Sequence, residues 1–285
     1  MRLKNHWKGV RIVDESPEWI VLDKPPLLQV HPHKPDGTFT LWHGLRELLA
    51  FELVNGGQVS IINRLDRETS GLTLVCKTTE AARHFSQLMQ RHCIHKEYLA
   101  LVWGWPEKDE YDIDAPIARL GEHEASRIWI KQAVHPSGAQ SRTRIKVEYR
   151  FDGETSNGSH FSVVRAFPET GRTHQIRVHL SHLGHPVVGD KIYGPDERHY
   201  LKFIETGWTP ELEQSLLLPR HALHSAILRA ADGTEQWLWQ SEMPEDMAAF
   251  ARNTALLQPH LSPSKMERNA LPLPVPGADG AAPSN

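Results

Sequence analysis

The segment from Ser141 to Phe151, SRTRIKVEYRF, alternates without a break. Thr143, Ile145, Val147, Tyr149 and Phe151 fall on one face, and Arg142, Arg144, Lys146, Glu148 and Arg150 on the other. Successive side chains of a strand point to opposite sides, so the pattern predicts a strand with one face in a core and one in water. Sheets that leave a face wet are built from antiparallel strands. The short apolar runs WIVLDKP, LTLVCK, EYLALVWG, HFSVVRAF, SAILRA and QWLWQS, parted by turn residues, supply further strands for a mostly antiparallel sheet.

Helical spacing is rarer. LWHGLRELLAF puts Leu41, Leu45, Leu48 and Leu49 on one stripe, and TTEAARHFSQLMQ does so with Ala81, Phe85, Leu88 and Met89. Thr78 is the expected N-cap of the second, with Glu80 in its first turn, where the helix dipole favours a carboxylate. A third helix is expected in THQIRVHLSHLG. Ile176, Leu180 and Leu183 would face inward and Arg172, Gln175 and His179 outward, with Gly184 as a left-handed cap. The class is α+β.

With 285 residues and 39% hydrophobic content, the chain can bury a sizeable core. One domain is expected over residues 1–256. Residues 257–285, rich in proline, glycine and small side chains, lack the apolar content for packing and are expected to form a disordered tail. No internal repeat is apparent. The charged N-terminus has no apolar stretch of membrane or signal-peptide length. The two cysteines, Cys76 and Cys93, lack the spacing of a disulfide framework or zinc knuckle. A soluble cytoplasmic protein is expected.

A formal charge of −3 excludes a uniformly basic nucleic-acid binder, but the charge is unevenly spread. Arg64, Arg67, Lys77, Arg83, Arg91 and Lys96 outnumber the acids Asp66, Glu68 and Glu80 in their segment, whereas Ala230 to Phe250 carries acids and no Lys or Arg. An anion would approach the first segment. Within it, INRLDRETSG sets Asp66 between Arg64 and Arg67, just before the apolar run Leu72–Cys76, with a tight turn expected at Gly71.

Other chemistries fit poorly. The eighteen histidines include short pairs such as His31/His33, His174/His179, His182/His185 and His221/His224. None has the spacing of a complete metal site, and H-E-x-x-H is absent. No serine lies in G-x-S-x-G, and phosphate-binding loops are missing. Asp66 and Glu68 are the one pair of carboxyls that glycoside hydrolysis could draw on, and they make a weak glycosidase pair.

What remains is a lone Asp in a basic setting and the cluster GRTHQIRVHLSHLGHPVVGDKIYG. Together with IVLDKPPLLQVHP, INRLDRETSGL, KEYLALVWG and RHALHSAILRA, in that order, it closely resembles the RluA-type pseudouridine synthase family, from roughly Val10 to about Met247.

The resemblance implies an α+β fold with a central active-site cleft, and conversion of uridine in RNA to pseudouridine without metal or organic cofactor. It makes Asp66 the catalytic carboxylate, Arg177 the arginine that pairs with it, and Tyr98 the tyrosine packed on the target base. Arg64 would enter the RNA stack in place of the extruded nucleotide. Arg67 is expected at a phosphate or as a solvated charge, and Arg172, Thr173 and Gln175 at the RNA backbone or bases from the outward face and start of a helix, or else as an ordinary polar helix face. His179 and His185 are expected to be structural, with Gly189 and Asp190 shaping a turn. Asn63 stands where many members have histidine. Too few residues precede Val10 for the basic RNA-binding domain of many large-subunit rRNA members, so both structured rRNA and tRNA stand as substrates, for an enzyme expected to be monomeric. The competing readings are a non-catalytic RNA-binding protein on the same fold and a metal-dependent hydrolase.

Overall fold

The computed structural model describes residues 7, 9–32, 37–155 and 158–255. The tail from 257 and part of the His31/His33 motif lie outside these. Strands β1 (Arg11–Glu15) and β2 (Trp19–Lys24) lead to helices α1 (Leu41–Leu48) and α2 (Ala50–Val54), then β3 (Ser60–Ile61), β4 (Ser70–Cys76), α3 (Thr79–Gln90) and β5 (Ile94–Trp103). Strands β6 (Glu110–Asp114), β7 (Ile117–Arg119) and β8 (Gln132–Val134) precede the long strands β9 (Arg142–Thr155) and β10 (Gly158–Pro168). Helices α4 (Gln175–His182), α5 (Arg198–Thr206) and α6 (Pro210–Leu216), strands β11 (Leu223–Asp232) and β12 (Glu235–Gln240), and helix α7 (Glu245–Ala255) follow.

The six apolar runs all form strands, and ten strands join in one sheet. Its order is β1-β2-β4-β11-β5-β10-β9-β6, with β12 added to β11 and β3 to β4. Neighbours run antiparallel except β4 and β11, which pair in parallel where His224 meets Ser70 and Ser225 meets Gly71. The fold is thus α+β with a mixed, mostly antiparallel sheet and flanking helices. Strand β9 alternates as its sequence does: Thr143, Ile145, Val147 and Phe151 are buried while Arg142 and Arg144 are exposed.

The middle of the sheet is covered on both faces. Ile20, Leu22 and Val75 pack under Leu41, Leu45 and Leu49 of the α1 region. Val21, Leu72 and Leu74 pack on the other side against Ala81, Phe85 and Leu88 of α3. Burial on two sides explains why β4 reads as a continuous apolar run. Thr78 caps α3 by accepting from Ala81 N. The helix expected over 41–51 breaks at Leu49, where α2 begins, and leaves Phe51 79% exposed. A small lobe built on β7 and β8 places Ile117 and Ile128 against Val178, Ile192 and Tyr193. Among the described residues no helix is long and apolar enough to cross a membrane.

Candidate active site

The loop from Asn63 to Thr69 is fastened along its length. Asn63 acts as a short piece of strand: its Nδ2 donates to Leu72 O at 2.9 Å and its Oδ1 accepts from Leu74 N at 2.8 Å. Thr69 N donates to Asp66 O at 3.2 Å and closes a turn around Asp66. Glu68 accepts from Lys191 Nζ at 2.8 Å and from His221 N at 3.1 Å, and Thr69 Oγ1 lies 2.7 Å from His221 Nε2. From beneath, the buried ammonium of Lys24 donates to Arg67 O, Pro25 O and Leu28 O. Burial lowers the Lys24 pKa to about 7.

Gly71 does not form the tight turn expected of it. It already belongs to β4, and the turn lies at Asp66–Thr69. Glycine is required there for another reason. Its φ is +107°, and a Cβ would stand 2.2 Å from Ser225 O of the parallel strand β11. The close approach draws β11 against the base of the Asp66 loop.

Helix α4 brings the second half of the site. Its N-cap residue His174 is left-handed (φ 57°), and Gly184 (φ +86°) lies just past its C-terminal end. Arg177 projects from the first turn into the core, where its Nε and Nη2 donate to Asp190 Oδ2 and Oδ1 at 2.6 and 2.8 Å. Its remaining arm, Nη1, donates to Asp66 Oδ2 at 2.9 Å. Asp190 is sealed from solvent, and its Oδ1 also accepts from Ile192 N and Tyr193 N. Burial opposes charge on both partners of the Arg177–Asp190 pair. Their mutual attraction outweighs it, holding Asp190 below the usual carboxylate range and Arg177 above its own ordinary value. Bidentate geometry of this kind fixes a guanidinium in plane and direction. Asp66, 30% exposed, is the partner that faces outward.

Tyr98 closes the site from the sheet. It sits on β5 opposite Ala166 of β10 and Ser225 of β11, nearly buried. Burial raises its phenol to about 12, and the charge of Asp66 adds to the effect. Asp66, Tyr98 and Arg177 border one cleft of about 600 Å³, together with Arg64, Lys96 and His174. The Tyr193 hydroxyl, which accepts from Gln132 N, lies 2.7 Å from His174 Nδ1. Burial, aided by the charge of Arg177, lowers His174 to about 4, so the ring is neutral near pH 7.

The structure therefore brings Asp66, Tyr98, Arg177, Arg64, Arg172 and Gln175 around one cleft. Arg67 and Thr173 are exposed and lie beyond its lining. The outward orientation expected of Gln175 and His179 is wrong. Gln175 is buried and spends its amide on Thr170 Oγ1, Arg172 N, Arg142 O and Thr143 Oγ1. His179 is fully buried between Thr143 Oγ1 at 2.8 Å and Ala115 O at 2.9 Å. The part of Asp190 as the buried partner of Arg177 escaped sequence reasoning, which gave it only the turn that its Oδ1 also makes. The available signal was a carboxylate in the apolar run PVVGDKIYG, too deep for a solvated turn.

The family model described as RNA pseudouridylate synthase matches residues 18–182, a span that holds Asp66, Tyr98 and Arg177 and stops short of Asp190. Ribosomal large subunit pseudouridine synthase D of Nitrosomonas europaea is 36% identical over 263 residues, which cover 90% of this chain and 68% of that protein. The protein of the same name from Pseudomonas aeruginosa is 36% identical over 241 residues, covering 83% and 69%. Among solved structures, Human RNA Pseudouridylate Synthase Domain Containing 1 aligns with a TM-score of 0.59 at 25% identity over 88% of this chain and 97% of its own. Human RNA Pseudouridylate Synthase Domain Containing 4 shares the fold with a TM-score of 0.64 at 21% identity, over 85% and 92%.

Proposed function

The chain belongs to the RluA-type RNA pseudouridylate synthase family and is an RNA pseudouridine synthase; from that premise we propose that Asp66 is its catalytic carboxylate and large-subunit ribosomal RNA its substrate. Isomerisation breaks the bond between N1 of uracil and C1′ of ribose, turns the base, and joins C5 to C1′. One proton leaves C5 and one arrives at N1, so the reaction needs a nucleophile or base and consumes nothing.

The observation that carries this reading is the three-point grip on Arg177. Two arms are held by buried Asp190 and the third aims the Asp66 carboxylate into the cleft. A group fixed in this way enters the reaction with little reorganisation. Tyr98 forms the wall on which the turned-out uracil stacks, and its oxygen assists loss of the C5 proton. Arg64 is exposed at the cleft with no ion pair among the described residues, as suits a side chain that takes the place of a flipped base. Arg172 and Thr173 approach the RNA backbone from the exposed entry to α4, and Arg67 meets a phosphate. Gln175 acts one step back, by holding the loop that carries Arg172. The enzyme works as a monomer in the cytoplasm and draws on neither metal nor organic cofactor.

The choice of rRNA follows the names of the bacterial relatives. The test is release of tritium from C5-labelled uridine in unmodified large-subunit rRNA and, separately, in bulk tRNA. Release from the rRNA alone, abolished by Asp66→Asn with RNA affinity kept, is the expected result. Release from tRNA alone overturns the substrate, and turnover by the variant overturns the role of Asp66.

A further inference from the structure

Strand β5 sends Glu97 and its neighbours to opposite sides. Glu97 lies 3.2 Å from Arg165 Nη1 and 3.1 Å from Arg229 Nη2. Lys96 and Tyr98, flanking it, both border the cleft. The other inward lysines are satisfied within the protein: Lys24 by three carbonyls, Lys77 by Glu15, and Lys191 by Glu68 and Pro219 O. Lys96 differs, because its ammonium has neither hydrogen bond nor ion pair among the described residues. The backbone of the loop before α4 passes over it at Gly171, where a Cβ would lie 3.8 Å from Lys96 Nζ.

A half-buried cation without a partner costs stability in the free protein, and the cost is recovered when an anion enters. Resting on the reading of the cleft as an RNA site, we propose that Lys96 is a phosphate-binding residue that grips the phosphodiester beside the extruded uridine. An ammonium suits this place: it is a compact charge with three donors and needs no planar partner. Arg64 and Arg172 stand at the exposed margin, so Lys96 supplies positive charge deeper in the cleft. Burial already lowers its pKa, and a phosphate oxygen would restore it.

The measurement is the salt dependence of binding to an unmodified large-subunit rRNA transcript, with Asp66→Asn as the background so that no turnover intervenes. Each phosphate neutralised on a single strand contributes about 0.7 to the slope of log affinity against log salt. Lys96→Met and Lys96→Gln should each lower the slope by about that amount, and Lys96→Arg should restore it. An unchanged slope in either neutral variant, with circular dichroism showing a native fold, overturns the proposal. Weaker affinity at an unchanged slope does so too, because it marks contact with an uncharged base. Absent tritium release from this transcript in the wild type would defeat the rRNA assignment, and the same slope comparison on the RNA that does release tritium would then judge Lys96.

Discussion

Asp66 and Arg177 meet at 2.9 Å across the boundary between solvent and core, the carboxylate 30% exposed and the guanidinium side chain only 6%. The ion pair is anchored on its buried side, since Asp190 holds Arg177 with two hydrogen bonds. Asp190→Asn should leave the buried guanidinium with the half-exposed Asp66 as its one charged partner and destabilise the fold by about 3–5 kcal/mol. It should also lower turnover in whatever fraction remains folded. Urea denaturation midpoints with single-turnover rates would check both, and wild-type values would mean that Arg177 positions Asp66 unaided.

Tyr98→Phe keeps the ring and removes the oxygen. Turnover should fall by about 10²–10⁴-fold, the usual range for a lost proton-transfer group, with RNA affinity unchanged. Tritium release beside filter binding separates the two effects. Near-normal release would confine Tyr98 to stacking.

Gly71→Ala should be a folding variant. Its Cβ would meet Ser225 O at 2.2 Å, at a φ of +107° that L residues seldom adopt. Strand β4 or β11 must then shift, at a cost of about 2–6 kcal/mol for strain and overpacking together. A thermal scan would check it, and a variant with unaltered melting would mean that the parallel contact yields freely.

Stability should fall as the medium is acidified from pH 7 towards 4. Burial is the first cause of the lowered pKa values of His174 and His224, both about 4, and of His221, which lies well below its ordinary value of 6.5. The unfolded chain takes up these protons near 6.5 and the folded chain only near 4 or lower. Between those limits the unfolded state binds more protons, so the stabilisation is complete above about 6.5 and is lost on the way down. Asp190, already below the usual carboxylate range, adds its loss only at lower pH. Denaturant midpoints at pH 7, 6 and 5 would show the decline, and a flat profile would contradict it.

What could be read from the chain without its structure follows from where each residue sits. Strand β9 has one wet face, so period-two alternation described it. Thr78 capped its helix as the local rule requires. Helix α4 defeated the amphipathic rule because Gln175 to Leu180 are buried on every side, and no solvent face exists for the pattern to reveal. Its polar residues find partners in the loop before it, in β9 and at Ala115, which no spacing along the chain discloses. For the same reason the meeting of Asp66, Tyr98 and Arg177 at one cleft was legible through motif resemblance, while the grip of Asp190 on Arg177 was not.

The parallel pairing of β4 with β11 bears on how the protein is made. Strand β11 lies between β4 and β5 in the sheet, yet it begins at Leu223, long after both have been synthesised. Until it leaves the ribosome, two strands rich in apolar residues present open edges, which are templates for aggregation. The Asp66 loop meanwhile lacks its hold on His221. A ribosome stalled before this point would release a chain with no working cleft and two adhesive edges, a client for chaperones or proteases and not a weaker enzyme.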